Sequence, residues 1–291
     1  GTDTGVNNKN IAIGNYALDA NMTHNQGNIA IGHEALTNLA GSGALANVFI
    51  GTQAGMSLTN ADYNTGVGHG VMGESAGNAI TGLYNSGFGA LVLYNLAGAA
   101  SSNTAIGYKA GFQSTTASGS VFIGVDAGGN VQTGNMNIGI GYNSFHNAAT
   151  GNNNIAIGAS AGNDVSSGRN NVLIGKNAGN TGANDIAAGV ENVLIGANAA
   201  ANASDAGNCI AIGSGVTGQA HNSVTLGNAD VTAVIGDAAG KTLTAAAMGF
   251  ALGGPWCALG GAILGGTIGL YKTLKAVQED MNAKAVETAM H

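Results

Sequence analysis

The residues able to do chemistry are few in this chain, and they stand apart from one another. The six histidines, His24, His33, His69, His146, His221 and His291, include no His-x-His pair of the kind that could line the axis of a metal-binding oligomer. Cys209 and Cys257 fall in different regions, so there is neither a disulfide framework nor a cluster of zinc ligands. Asp126, Asp164, Asp185, Asp205 and Asp237 sit near turns, but the Gly-Gly-x-Gly-x-Asp calcium nonapeptide is missing. Glu34, Glu74 and Glu191 are isolated acids, whereas glycoside hydrolysis needs two carboxyl groups about 5–10 Å apart in a groove. Gly66-Val67-Gly68-His69-Gly70 is rich enough in glycine for a phosphate loop. A dinucleotide fingerprint, however, needs a strand-turn-helix setting that a repeat coil does not offer. The reading is a chain that is not an enzyme, with no catalytic residue, no cofactor and no metal.

The elements that carry these residues follow from a phrase that recurs thirteen times: polar, apolar, small, apolar, Gly, as in Asn10-Ile11-Ala12-Ile13-Gly14. The closing glycines are Gly14, Gly32, Gly51, Gly68, Gly89, Gly107, Gly124, Gly141, Gly158, Gly175, Gly196, Gly213 and Gly227, and four successive gaps from Gly107 to Gly175 are 17 residues each. A fixed short period means stacked units of equal length, which is a solenoid. Before the glycine stands a bulky apolar residue, and Ile13, Ile31, Ile50, Ile106, Ile123, Ile140, Ile157, Ile174, Ile195 and Ile212 are read as the buried core. Two positions earlier the slot is mostly β-branched, so each phrase is a short strand with one face buried. Three positions after the glycine a small residue returns, as at Ala17, Ala35, Ala54, Ala110, Ala127, Ala161, Ala178 and Ala199. A second short strand or a bend fits there, with glycine supplying the corner.

Four positions before the glycine stands Asn10, Asn28, Asn47, Asn64, Asn85, Asn103, Asn137, Asn154, Asn171 or Asn192, with Ser120, Cys209 and Ser223 in the other three copies. Stacked asparagines can form a hydrogen-bonded ladder between coils, so this column is read as structural. With 51 Gly, one Pro and 8% charged residues, the composition is neither collagen-like nor disordered. A net charge of −7 and no basic stripe argue against a nucleic-acid partner. The fold class is therefore mainly β: a repetitive parallel β-roll or β-helix over residues 1–236, in thirteen coils of about 17 residues. At the strand spacing such a stack would be about 60 Å long. Each coil encloses little core, and association of identical rods would hide a second apolar face; a homotrimer is expected.

Copies such as Asn103-Thr104-Ala105-Ile106-Gly107-Tyr108-Lys109-Ala110-Gly111 and Asn154-Ile155-Ala156-Ile157-Gly158-Ala159-Ser160-Ala161-Gly162 resemble the head repeats of trimeric autotransporter adhesins and of related bacteriophage tail fibres. The run from Asn222 to Gly236 is similar to the segment that precedes a self-cleaving chaperone domain in many phage fibres. The resemblance spans Asn10 to Gly236 and implies a trimeric, left-handed parallel β-roll without enzymatic activity. It further implies a fibre shaft or tip that attaches to a cell surface through a glycan or protein receptor, on a virion or at the extracellular surface. A different class of function, a subunit of a filament that assembles end to end outside the cell, is the alternative. No recognisable chaperone domain or membrane anchor follows the repeats, and the start at Gly1 without a leader is read as a processed end or a fragment.

Residues 237–291 read as a helical C-terminal domain. From Thr242 to Tyr271 no residue is charged, a length sufficient for a membrane span. Gly249, Gly253, Gly261, Gly265 and Gly269 are spaced for close helix packing. Pro255 splits the run, so a buried bundle or hairpin, membrane contact of 242–271, and a plug into another subunit all remain readings. Leu270, Leu274, Val277 and Met281 then mark an amphipathic terminal helix. In the repeats, the longer units place extra residues at 73–84 and 181–191, where binding residues would concentrate. The seven tyrosines look scattered along the chain and form no evident sugar-binding face.

Overall fold

A computed structural model of the chain describes residues 9–230, apart from 21–23, 41–42, 74–78 and 183–184, together with the backbone of Val234–Ile235 and Thr242–Leu243. Thirteen strands of three or four residues, from β1 (Ile11–Ile13) to β13 (Ser223–Leu226), form one parallel sheet in strict chain order. Each phrase of the sequence is thus one turn of a β-solenoid. The register is exact in sequence terms, with Ile138 opposite Ile155, Gly139 opposite Ala156 and Ile140 opposite Ile157. Because every unit repeats the same side-chain order, like stacks on like, and a slip by one residue would turn every inward side chain outward.

The glycine that closes each strand makes this stacking physically attainable. From Gly14 to Gly213 the twelve corner glycines have φ between 130° and 141°, a region that residues with a Cβ rarely adopt. A Cβ on Gly124 would also come within 2.6 Å of the carbonyl oxygen of Gly141 in the next coil. The chain then bends through two left-handed residues, as at Lys109 and Gly111 or Asn143 and Phe145. Of the two arrangements open after the glycine, the bend is the one formed. Its buried alanine accepts a bond from the coil below, for example Gly111 N to Ala127 O at 2.8 Å and Gly162 N to Ala178 O at 2.8 Å.

Within one chain the core lies on the face opposite to the one assigned from sequence. The middle residue of each strand points inward, and Ala30, Phe49, Ala105, Phe122, Ala156, Leu173, Leu194 and Ala211 are fully buried. The isoleucines of the core assignment lie on the outer face instead: Ile13 is 58% exposed and Ile106 41%, Ile50, Ile157 and Ile212 are exposed too, and Ile31, Ile123, Ile140, Ile174 and Ile195 are half-buried. The reason is space. The space between strand and bend takes one large side chain from either of two positions, the strand centre or the second left-handed position of the bend six residues later, while Leu39, Leu58, Ile80, Leu96 and Ile186 are also fully buried in their coils. Phe49 pairs with Gly55, Phe122 with Gly128 and Leu173 with Gly179, while Gly66 pairs with Met72, Gly87 with Leu93 and Gly139 with Phe145. A Cβ on Gly55 would come within 2.7 Å of the Phe49 ring. Where both positions are small, as at Ala105 and Gly111, Leu93 and Phe122 reach in from the coils on either side. This exchange keeps the packing filled along the whole stack.

The chain divides into two compact units, 1–228 and 229–291. In the second, Val234–Ile235 (β14) pairs antiparallel with Thr242–Leu243 (β15), so Thr242 opens a short strand and not an apolar helix. The rest of the expected helical domain lies outside the described residues. That includes Gly249, Gly253, Gly261, Gly265 and Gly269, the possible membrane contact and the amphipathic terminal helix. Among the described residues no helix is long and apolar enough to cross a membrane.

Phe122→Ala should lower the free energy of unfolding by about 3–5 kcal/mol, the usual cost of deleting a fully buried ring. Urea denaturation followed by circular dichroism measures it, and a loss below about 1 kcal/mol would show that neighbouring coils close the space.

Candidate functional surface

The asparagine column is a continuous run of buried, hydrogen-bonded side chains. Asn154 shows the pattern: its Nδ2 donates to Asn137 Oδ1 at 3.2 Å and to the Gly168 carbonyl at 2.9 Å. Its Oδ1 accepts from Asn171 N at 3.0 Å and from Asn171 Nδ2 at 2.9 Å. The side chain is fully buried and uses every donor and acceptor site, which removes the penalty of burying an amide. The same bonds link Asn28, Asn47, Asn64, Asn85 and Asn103 in the lower coils and Asn171 to Asn192 higher up. Asn10, at the base, accepts from Asn28. Ser120 keeps the column continuous with a shorter side chain, since Asn137 N donates to its Oγ at 3.2 Å. At the top Cys209 takes the slot, its N donating to Asn192 Oδ1 at 2.9 Å. Burial pushes the Cys209 thiol above its ordinary range, and the Ser223 hydroxyl 4.0 Å away acts in the opposite direction.

Outside the coil, two columns of side chains run up the sheet. The first carries Ile11, Ile29, Val48, then Val121, Ile138, Ile155, Val172, Val193, Ile210 and Val224; the second carries the isoleucines displaced from the core. Only in three successive coils does the first column turn polar, at Thr65, Ser86 and Thr104. The result is an apolar sheet face that none of the other described residues covers, broader than the scattered apolar residues normal for a monomer.

The tyrosines that look scattered in sequence are brought together by the coil. Tyr63 and Tyr84 precede Asn64 and Asn85, so they share a corner column, and their rings stack with centroids 5.4 Å apart and planes 7° from parallel. Tyr94 and Phe112 each stand five residues after a corner glycine and stack at 5.4 Å and 3°. The Lys109 ammonium lies 5.3 Å from the centroids of both Tyr108 and Phe112. The signal was present in the alignment of the repeats, where each pair occupies one column in consecutive units.

The titratable residues stay apart. His33 Nδ1 is 3.6 Å from Glu34 Oε2, which also accepts from Gln53 Nε2 at 2.9 Å. His221 Nε2 is 4.0 Å from Asp205 Oδ1, Asp164 accepts from Asn147 Nδ2 at 2.7 Å, and Asp185 caps the backbone of Gly182 at 2.7 Å. Gly66-Val67-Gly68-His69-Gly70 runs from a strand into a coil corner and bend. Among the described residues no three His, Cys, Asp or Glu gather as a metal site would require. In comparisons with known proteins, no family model, no curated protein and no solved structure matches the chain.

Asn154→Ala leaves the Gly168 carbonyl and the Asn171 amide without partners, and each buried orphan costs about 1–3 kcal/mol. Asn154→Ser should cost less, because Ser120 already fills an equivalent slot; thermal unfolding of the two variants ranks them. In a Cys257→Ser background, Cys209 should resist iodoacetamide at about pH 8 in the folded chain and react freely in urea. Equal rates would mean that the top of the column is open.

Proposed function

We propose that the chain is a structural fibre protein, a shaft or tip of a trimeric phage tail fibre or surface adhesin that attaches to a cell surface, working on a virion or outside the cell. The observation that carries this reading is the pair of outward, largely Ile and Val columns along the sheet of in-register strands, the first of them interrupted only in three coils. A single rod would leave that face in water, where each square ångström of apolar surface buried on association contributes about 25 cal/mol. Identical rods set side by side around a shared axis bury it on every copy at once, because closed symmetry gives each chain the same contacts. The number three, and the tail-fibre or adhesin setting, come from the resemblance of the repeats to those families.

The β-solenoid suits such a role mechanically. Every coil is tied to the next by the strand bonds, the bend bonds and the asparagine column, so load along the rod is shared among many parallel hydrogen bonds. Among the described residues no three His, Cys, Asp or Glu gather, and on this reading the chain neither catalyses a reaction nor holds a cofactor.

Ile157→Asp places a charge in the middle of the outward face without touching the inward core. Sedimentation of the purified wild-type chain should give a discrete three-chain species, and the variant should shift to single chains while keeping its β spectrum. A wild-type chain that sediments as a monomer overturns the reading, and open-ended polymers would replace it with that of an end-to-end filament subunit.

A further inference from the structure

The repeats are nearly uniform except in one belt, from Tyr63 to Phe112, where four departures coincide. First, every described tyrosine and phenylalanine from Tyr63 to Phe112 is at least partly exposed, whereas Phe49, Phe122 and Phe145 on either side are fully buried. Second, two of the ring pairs stack, Tyr63 on Tyr84 and Tyr94 on Phe112. Third, the first outward strand column carries hydroxyls in these coils alone, at Thr65, Ser86 and Thr104. Fourth, one of the two longest repeat units, with its extra residues ahead of Tyr84, lies in the belt. Neither stacked ring pairs nor outward strand hydroxyls are needed to build a coil, since the described coils outside the belt form without them.

The tyrosine pair is also conformationally costly. Tyr63 and Tyr84 have φ of 57° and 61°, and elsewhere in this corner column stand Lys9, Gly27, Ala46, Ser102, Gly119, Met136, Asn153, Asn170, Glu191, Asn208 and Asn222, all left-handed but none aromatic. A bulky aromatic side chain in the left-handed region is unusual. Ala46 and Ser102 flank the pair along the column, so no large side chain of that column covers the two outer ring faces, and the tyrosines are 47% and 57% exposed.

From this arrangement we propose that the belt is a lateral binding site for a glycan chain, with pyranose rings seated on the stacked aromatics. The inference rests on the reading of the chain as a surface-contacting fibre and names the chemistry of the surface it contacts. A pyranose is amphipathic in the same way as the belt. Its axial C–H bonds carry partial positive charge and suit the negative face of an aromatic ring, while its hydroxyls exchange hydrogen bonds with the tyrosine hydroxyls. Lys109, held against Tyr108 and Phe112, adds a donor for ring oxygens or carboxylates. A second copy of this chain would favour an unbroken run of Ile and Val, and in the first outward column that run is interrupted here, while the second column continues through Val67, Phe88 and Ile106. The corner and bend positions of the ring pairs lie off the sheet face, which leaves them accessible when that face is covered by other copies.

The test is affinity electrophoresis of the full chain in gels containing dextran, hydroxyethylcellulose, alginate or purified bacterial O-polysaccharide. The wild type should be retarded by at least one of these polymers, and the double variant Tyr63→Asn/Tyr84→Asn should bind about tenfold more weakly, as loss of two stacking platforms implies. Asparagine already occupies this column with the same backbone angles at Asn153 and Asn170, so the variant retains the coil. Tyr142→Asn, outside the belt, should bind like the wild type. Retardation by none of the four polymers, or equal retardation of the double variant, overturns the proposal; in either case a protein ligand becomes the reading for the belt. Sedimentation of the same samples separates the two ideas. Trimers that run unretarded refute the glycan site and leave the fibre, whereas single chains that are retarded keep the site and refute the assembly.

Discussion

Every feature of this rod depends on one constraint, that successive coils stack at strand spacing with identical residues in contact. Two columns enforce it. Corner glycines are needed because the chain turns at φ near +130° with the carbonyl of the next corner directly against it, where a Cβ would have no room. Beside them, each buried asparagine both donates to and accepts from its neighbours above and below, so a coil out of register would leave several amide groups unpaired at once. Glycine makes the close approach sterically attainable, and asparagine makes any other alignment unfavourable. Cooperation between them lets coils with little core each form a continuous ordered stack.

With the register held in this way, the interior needs only to be filled. Exchange of one large residue between strand centre and bend, as in Phe122 with Gly128 and Gly139 with Phe145, shows that volume per coil is conserved while the origin of that volume is free. The outer surface is then free to vary without disturbing the stack. It carries Ile and Val where association is favoured and aromatic rings with hydroxyls in one belt. Architecture and contact chemistry are therefore separable along this chain, one set by inward and corner positions and the other by outward ones.

Much of this was legible before any coordinates. The period marked by Gly107, Gly124, Gly141, Gly158 and Gly175 specifies a solenoid, and Asn at a constant offset before each glycine specifies an inter-coil column. The direction of the strand faces was not legible. In Ile155-Ala156-Ile157 both faces are apolar, and bulk alone assigns the isoleucines to the core. The opposite holds within one chain because the bend brings Ala161 and a large or small partner into the same narrow interior, leaving space for Ala156 and none for two isoleucines. Alternation reveals that a strand has two faces; which one turns inward is decided by what the rest of the coil places across from it.

The aromatic belt marks the same boundary. Tyr63 and Tyr84 lie 21 residues apart, with one of the two longest repeat spacings between them, and read linearly they are unrelated. The next coil nevertheless returns Tyr84 to the same corner column, so the two rings stack. Sequence by itself determined the repeat, the glycine corners and the asparagine column, because these depend on local backbone preference and on constant spacing. Only the tertiary structure decided which apolar face is core, which side chains share volume and which tyrosines meet, because those depend on the path between repeats and on the size of the space it encloses.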